Sequence, residues 1–412
     1  MGRPHIRYLK FLVFCYIILL FLKRRKNQMK ISYLLPAAIA FYLLFSMVSI
    51  SVSQAMLGIA FILWVIYMIK SKQKIAFPGF FWAILAYIFL SLVACVFSDN
   101  PKVSFIDSRE LLLFLIVPMV YTGFQKIKDI RTANLALLAS GLVSILFSFF
   151  IFLFKYEPGE RISGFMGHYM TQAGLLLLFA TLALSMLLFF RNKTRYIWGA
   201  AFFISSIALV LTLTRNAWIG LVVAAFVLLL FFKPKFVVLL PVILALAFIV
   251  SPKSIKQRAL SVFSLKSYSN AIRIEYLKTG WEIIKEYPLF GTGPDTVDVI
   301  FQNPKYNLSE DARKNVHLHN NIIQIAAERG LFTLLAWLTF VTWAFISLLK
   351  LIKNKNPSLF PLTAAALAGL LALFAAGLFE YNFGDSEVIT LFLYLITIPF
   401  AAERILKLQE NK

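Results

Sequence analysis

Carboxylates are scarce in this 412-residue chain, with 19 Asp and Glu against 41 Lys and Arg, and charged residues of both signs make up only 15% of it. Cysteine is nearly missing too. Cys15 and Cys95 both fall inside apolar runs, which excludes a disulfide framework and a cysteine metal site. No Asp-x-Asp pair stands in a polar gap apart from the separated Asp295 and Asp298, so no carboxylate cluster for a divalent ion is readable. Internal repeats and low-complexity segments are absent, and the missing repeat counts against a transporter built from two related halves.

What is present is apolar: 60% of the residues. Twelve apolar runs are each long enough to cross a hydrocarbon core of roughly 30 Å as a helix. They lie at 31–50, 54–70, 79–97, 110–124, 133–154 and 172–190, then at 196–213, 216–232, 236–250, 331–350, 359–379 and 387–401. The expected fold is therefore an all-α membrane protein of about 12 transmembrane helices. Basic residues follow every even run, as Lys70, Lys72 and Lys74, then Lys126, Lys128 and Arg131, Arg191, Lys193 and Arg195, Lys233 and Lys235, and Lys350, Lys353 and Lys355. Cytoplasmic loops retain such residues. The +22 net charge thus reads as topology, with no nucleic-acid partner, and both ends of the twelve-span unit are expected in the cytoplasm.

Four stretches follow from this pattern. Residues 1–28 form a leader, apolar only over 9–22 and followed by Lys23, Arg24, Arg25 and Lys26; they are an interfacial segment or the product of a mis-assigned start before Met29. Residues 29–250 hold transmembrane helices 1–9, 251–330 a long outward (periplasmic) loop, and 331–412 helices 10–12 with a cytoplasmic tail. Inside the loop, Ile274, Leu277, Trp281 and Ile284 repeat at helical spacing, which predicts an amphipathic helix lying against the membrane face. A turn over 288–294 follows, where Gly291 and Gly293 can take positive φ.

The most specific feature is His319-Asn320, then nine residues, then Gly330-Leu331-Phe332-Thr333. This resembles the signature of the O-antigen ligase family, in which a histidine and a small amide or hydroxyl residue precede a glycine by that interval. The resemblance extends to Arg215 in LTLTRNAWIG, to Arg273 with Trp281 and PLFGTGP, and to Arg161 in RISGFMGHYMTQA, covering roughly residues 100 to 390. It implies transfer of a finished glycan from an undecaprenyl-pyrophosphate-linked donor to a sugar hydroxyl of lipid A core, or to another glycan acceptor. No metal and no cofactor are implied, and the setting is a bacterial inner (plasma) membrane with the site facing the periplasm among membrane lipids.

Residue chemistry agrees with that expectation. A pyrophosphate leaving group gains charge as the anomeric bond breaks, so fixed cations are needed where it develops. An acceptor hydroxyl needs a base with a pKa near neutrality, and the motif selects His319 for it over His317. Asn320 is a site candidate whose plainer role is to cap the next helix. Arg215, in an outward turn between spans, suits bidentate phosphate contact; its plainer reading is snorkelling to the interface. Arg273 is read the same way beside lipid headgroups, and Arg161 and Arg109 are weaker members of this pyrophosphate-binding set. His168, Asp385 and Glu380 lie in outward gaps, where the acids would orient His319 or bind acceptor sugar; Trp281, Gly291 and Gly293 complete the candidates. An O-antigen polymerase or a protein O-oligosaccharyltransferase would use the same donor, and a lipid-linked sugar transporter is the alternative of another class.

Overall fold

The computed structural model describes residues 31–155, 160–264 and 267–410, so the leader and Cys15 lie outside the described residues. All regular structure among them is helical. In chain order the α-helices are α1 (Ile31–Phe45), α2 (Ile50–Ser71), α3 (Phe81–Val96), α4 (Pro101–Asp107), α5 (Ile116–Gly123), α6 (Ile127–Phe154), α7 (Tyr169–Phe189), α8 (Arg195–Leu211) and α9 (Arg215–Phe232). Then come α10 (Leu239–Val250), α11 (Lys253–Leu260), α12 (Tyr268–Glu286), α13 (Val297–Phe301), α14 (Glu310–Arg313), α15 (Asn321–Leu351), α16 (Phe360–Gly377) and α17 (Ser386–Glu410).

Seven of them, α2, α6, α7, α9, α15, α16 and α17, are long and apolar enough to cross a membrane. Shorter apolar stretches in α1, α3, α8 and Pro234–Val250 occupy four more of the expected positions. The expected span at 110–124 is not one helix. It is a 3-10 segment, Ser108–Leu115, followed by α5. Pro118 lies in the first turn of α5, where a missing backbone donor costs nothing, so the sequence favours a fresh helix start there.

At the centre stand α7, α16 and α17, with 83%, 78% and 83% of their apolar windows buried against 22% for the peripheral α2. Apolar area alone drives no helix–helix association in lipid, so small residues that let backbones approach decide who sits inside. The run Ala364, Ala365, Ala366, Ala368, Gly369 and Ala372 makes α16 such a helix, and all of these are buried.

The basic gaps gather at one end of the bundle, where Arg404 donates to the Phe124 carbonyl at 2.6 Å and Arg131 reaches Ser358. At the other end the segments around Asp107, Thr171, Arg215, Arg329 and Asp385 come together. There the 251–330 stretch builds a core of its own from Tyr276, Ile283, Val297, Phe301, Leu318 and Ala327. The helix predicted inside it exists as α12, and the face it packs on the loop core is Tyr276, Thr279, Gly280, Ile283 and Ile284. Of the predicted stripe, Ile284 is buried, while Leu277 and Trp281 stay 42% and 55% exposed. Gly280 packs so close to Ile323 of α15 that a Cβ would come within 2.2 Å.

Candidate active site

The histidine motif is held by a strained backbone and a staple. His319 adopts φ +50°, the left-handed region that non-glycine residues rarely occupy. Asn320 then opens α15 as its N-cap, its Oδ1 accepting from the Ile322 and Ile323 amides at 2.9 and 3.0 Å. Three consecutive side chains bond one turn between α16 and α17. His319 Nδ1 lies 2.9 and 3.0 Å from the two Glu380 oxygens, Asn320 Nδ2 donates to the Leu378 carbonyl at 2.8 Å, and Asn321 Nδ2 donates to Asn382 Oδ1 at 2.8 Å. The left-handed turn at His319 is thereby overdetermined, which is the condition under which such strain persists.

Glu380 is the electrostatic centre. Its side chain is 6% exposed, with His317 Nε2 at 3.6 Å and Arg273 Nη2 at 3.9 Å in addition to His319. Burial by itself would raise this carboxyl, but the hydrogen bond from His319 and the charges of His319, His317 and Arg273 outweigh it and hold Glu380 down at about 2. An ionised Glu380 accepts the Nδ1–H of His319, which leaves Nε2 as the ring's free acceptor. His317 is pushed the other way, down to about 4, by burial first and by its histidine and arginine neighbours, against the pull of Glu380.

Beside this dyad is a group of arginines with little to neutralise it. Arg215, 6% exposed at the start of α9, donates to Ser261 Oγ at 2.9 Å and to Ser269 Oγ and Asn270 Oδ1 at 2.7 Å each. All three acceptors are neutral. Arg258 donates to the Leu213 carbonyl at 3.2 Å, and the Arg161 guanidinium lies 4.4 Å from the Tyr169 ring centroid. Burial, and after it the charges of Arg161, Arg215 and Arg273, lower Arg258 to about 10. Arg273 is lowered by burial despite Glu380 nearby, and its Nε is buried without a hydrogen-bond partner. Four guanidiniums that feel one another, with one carboxylate shared among them, form a site for a polyanion.

Residues 200–338 match the family model described as O-antigen ligase. Over this segment, about a third of the chain, the sequence is similar to the O-antigen ligase family. The matched stretch carries Arg215, Arg258, Arg273 and His319, while Arg161 and Glu380 lie outside it. The chain's seven long apolar helices make it a multi-pass membrane protein, and the family it resembles over 200–338 is one of O-antigen ligase and polymerase-like glycosyltransferases. No curated protein matches the sequence at a significant level.

Other sequence-derived candidates fall in three places. His168 and Asp385 line a chamber that Glu380 and His317 also wall, and Asp385 accepts from Thr171 Oγ1. Gly291 and Gly293 take φ +68° and +107°, as the turn demanded, and their amides bond Tyr287 and Glu328 carbonyls; they dock the loop rather than face a ligand. Arg109 and Trp281 are not brought to the site. Arg109 is exposed, donates to the Ile106 carbonyl, and borders a separate groove with Gln54, Gly58 and Phe61 of α2. Trp281 faces outward with Lys285 over its ring at 5.5 Å.

Sequence reasoning set Glu380 below its real position, because 61 residues separate it from His319 and no spacing links them. Arg258 went unnoticed for a different reason. It sits in α11 among Lys253 and Lys256, where it reads as one more surface cation. The ligand atoms of His317, His319 and Glu380 lie within 4.8 Å of one another, a His-His-Glu set chemically able to hold a transition metal. Arg273 at 3.9 Å places a fixed cation against the same carboxylate, which opposes a second one.

Proposed function

We propose that the chain transfers a glycan from undecaprenyl pyrophosphate to a sugar hydroxyl of lipid A core, on the periplasmic face of a bacterial inner membrane. The observation that carries this reading is the meeting of the His319–Glu380 dyad with the arginine group through Arg273. In the step, the acceptor oxygen attacks the anomeric carbon of the donor sugar. The bond from that carbon to the phosphate oxygen breaks, and its electron pair leaves with the pyrophosphate. Arg215, Arg258, Arg273 and Arg161 stand where that negative charge grows, and such preorganised cations act on the transition state more than on the ground state.

His319 Nε2 takes the hydroxyl proton while Nδ1–H stays on Glu380, whose charge stabilises the imidazolium. The attack from the face opposite the leaving group inverts the anomeric centre. No step draws on a metal, because the arginines supply the positive charge. The interval from His319-Asn320 to Gly330 favours a ligase over a polymerase, by the resemblance described above.

His319→Ala should lower transfer by about 10²- to 10⁴-fold, the usual contribution of a general base, while expression and donor binding persist. The check is mass analysis of surface glycolipid from a deletion strain carrying this variant. Uncapped core beside intact polymer on its carrier is the expected picture. Normal capping removes the base, and core capped with a single repeat reassigns the chain as a polymerase.

A further inference from the structure

Against Glu380 lies a cavity of about 290 Å³, whose wall also takes in Thr214 and Asn216 on either side of Arg215. Its wall has the opposite character to the arginine group: Asp107, Glu110, Asp295, Glu328 and Asp385 join Glu380, and Arg329 is the one lysine or arginine among its lining residues. Arg329 is 6% exposed and spends one nitrogen on Asp107 at 3.1 Å. Its Nε and Nη1 have no hydrogen-bond partner although both are buried. Unused donors on a buried guanidinium are costly, and they point to a ligand that supplies acceptors. Burial pushes Asp295 up and Asp385 up to about 6, as expected of carboxyls facing a confined space.

An acidic cavity and an arginine group thus both adjoin Glu380. A diphosphate fits the arginine side and is repelled from the acidic one. We propose that the acidic chamber is the acceptor subsite, and that it takes a neutral or amino-bearing sugar unit. Hydroxyls of that unit donate to the carboxylates, which each accept more than one bond, and its ring or hydroxyl oxygens accept from Arg329. The volume is at the small end of ligand pockets and suits a terminal sugar rather than a chain. His319 then sits at the boundary, where the hydroxyl presented from one side meets the anomeric carbon held from the other. This inference rests on the transfer reading above and adds the acceptor's chemistry to it.

The test uses the full chain in lipid nanodiscs. Glu110 and Asp295 line the cavity but are open to solvent, and Asn at 295 tolerates the observed φ of +56°. Glu110→Gln with Asp295→Asn therefore tests the chamber without opening the core. Saturation-transfer NMR with methyl glucoside and methyl glucosaminide should show binding that survives saturating inorganic pyrophosphate. The double variant should weaken it about tenfold or more, as loss of charged hydrogen bonds implies. In transfer assays the acceptor KM should rise by the same factor with the donor KM unchanged. Glycoside binding that is unaltered in the double variant, or displaced by pyrophosphate, overturns the proposal, as does a change confined to the donor KM. Binding of calcium alone, with no glycoside bound, replaces it by a cation site. Should the wild type consume no lipid-linked donor while its glycoside binding still depends on the chamber acids, the transfer reading fails and the sugar subsite stands.

Discussion

His319 and Glu380 show how a single side chain's task depends on partners far away in sequence. An imidazole bonded to an ionised carboxylate is fixed in tautomer and orientation, and its charged form is stabilised as it arises. Glu380→Gln keeps the shape and removes the charge. It should lower kcat by about 10²-fold or more while the donor KM stays put, and purified-enzyme kinetics with separately varied donor and acceptor would read this. A rise in donor KM instead would assign Glu380 to holding Arg273. Arg258→Gln should act conversely, raising the donor KM with a smaller effect on kcat.

The two titrations of this cluster occupy different pH windows. His317 has a native value of about 4 against the usual 6.5, so the unfolded chain takes its proton first and stability declines as pH drops from 6.5 toward 4. Glu380, at about 2 against 4.5, contributes stability above 4.5 that is lost as pH drops from there toward 2. Thermal unfolding midpoints measured between pH 7 and 4.5 should flatten in His317→Gln; an unchanged slope would locate the acid sensitivity elsewhere.

At the scale of elements, the nine-residue interval in the motif acquires a mechanical meaning. Residues 321–329 form the first helical segment of α15, and at 1.5 Å per residue they make a strut of about 13 Å. One end is the Asn320 cap beside His319. The other is Gly330, whose φ of 79° and ψ of 170° interrupt α15 in a region open to essentially glycine alone. A Cβ there would come within 2.0 Å of the Leu289 carbonyl oxygen. The glycine therefore serves docking of the 288–294 turn, and through it the placement of Asp295, Glu328 and Arg329. Gly330→Ala should lose at least the roughly 1–3 kcal/mol of backbone strain and lower activity by displacing that turn. Gly58→Ala in α2, where nothing lies within 4 Å, is the matched control and should leave the melting temperature nearly unchanged.

For the molecule as a whole, the two ends differ in chemistry: one collects lysines and arginines at helix ends, the other collects the arginine group, the histidines and the acids. The proposed orientation puts the first in the cytoplasm, as the positive-inside tendency predicts. Cysteine placed at Glu310 should accordingly react with a membrane-impermeant maleimide in intact spheroplasts, and cysteine at Lys72 only after permeabilisation. The reverse pattern would put the site on the cytoplasmic side and end the proposed reaction.

Composition and the periodicity of apolar runs were enough to predict an all-helical membrane chain, because burying apolar side chains in lipid leaves helices as the usual way to satisfy the backbone. Local spacing likewise exposed His319, Arg215 and the positive φ at Gly291 and Gly293, since those features are written within a few residues. What tertiary structure alone decided is which distant groups meet. Glu380 reaches His319 across 61 residues, Arg258 joins Arg215 from another helix, Arg109 turns away, and Gly280 of α12 packs against Ile323. Charge and close packing act through space, and a sequence records order along the chain, so these pairings had no local signature to read.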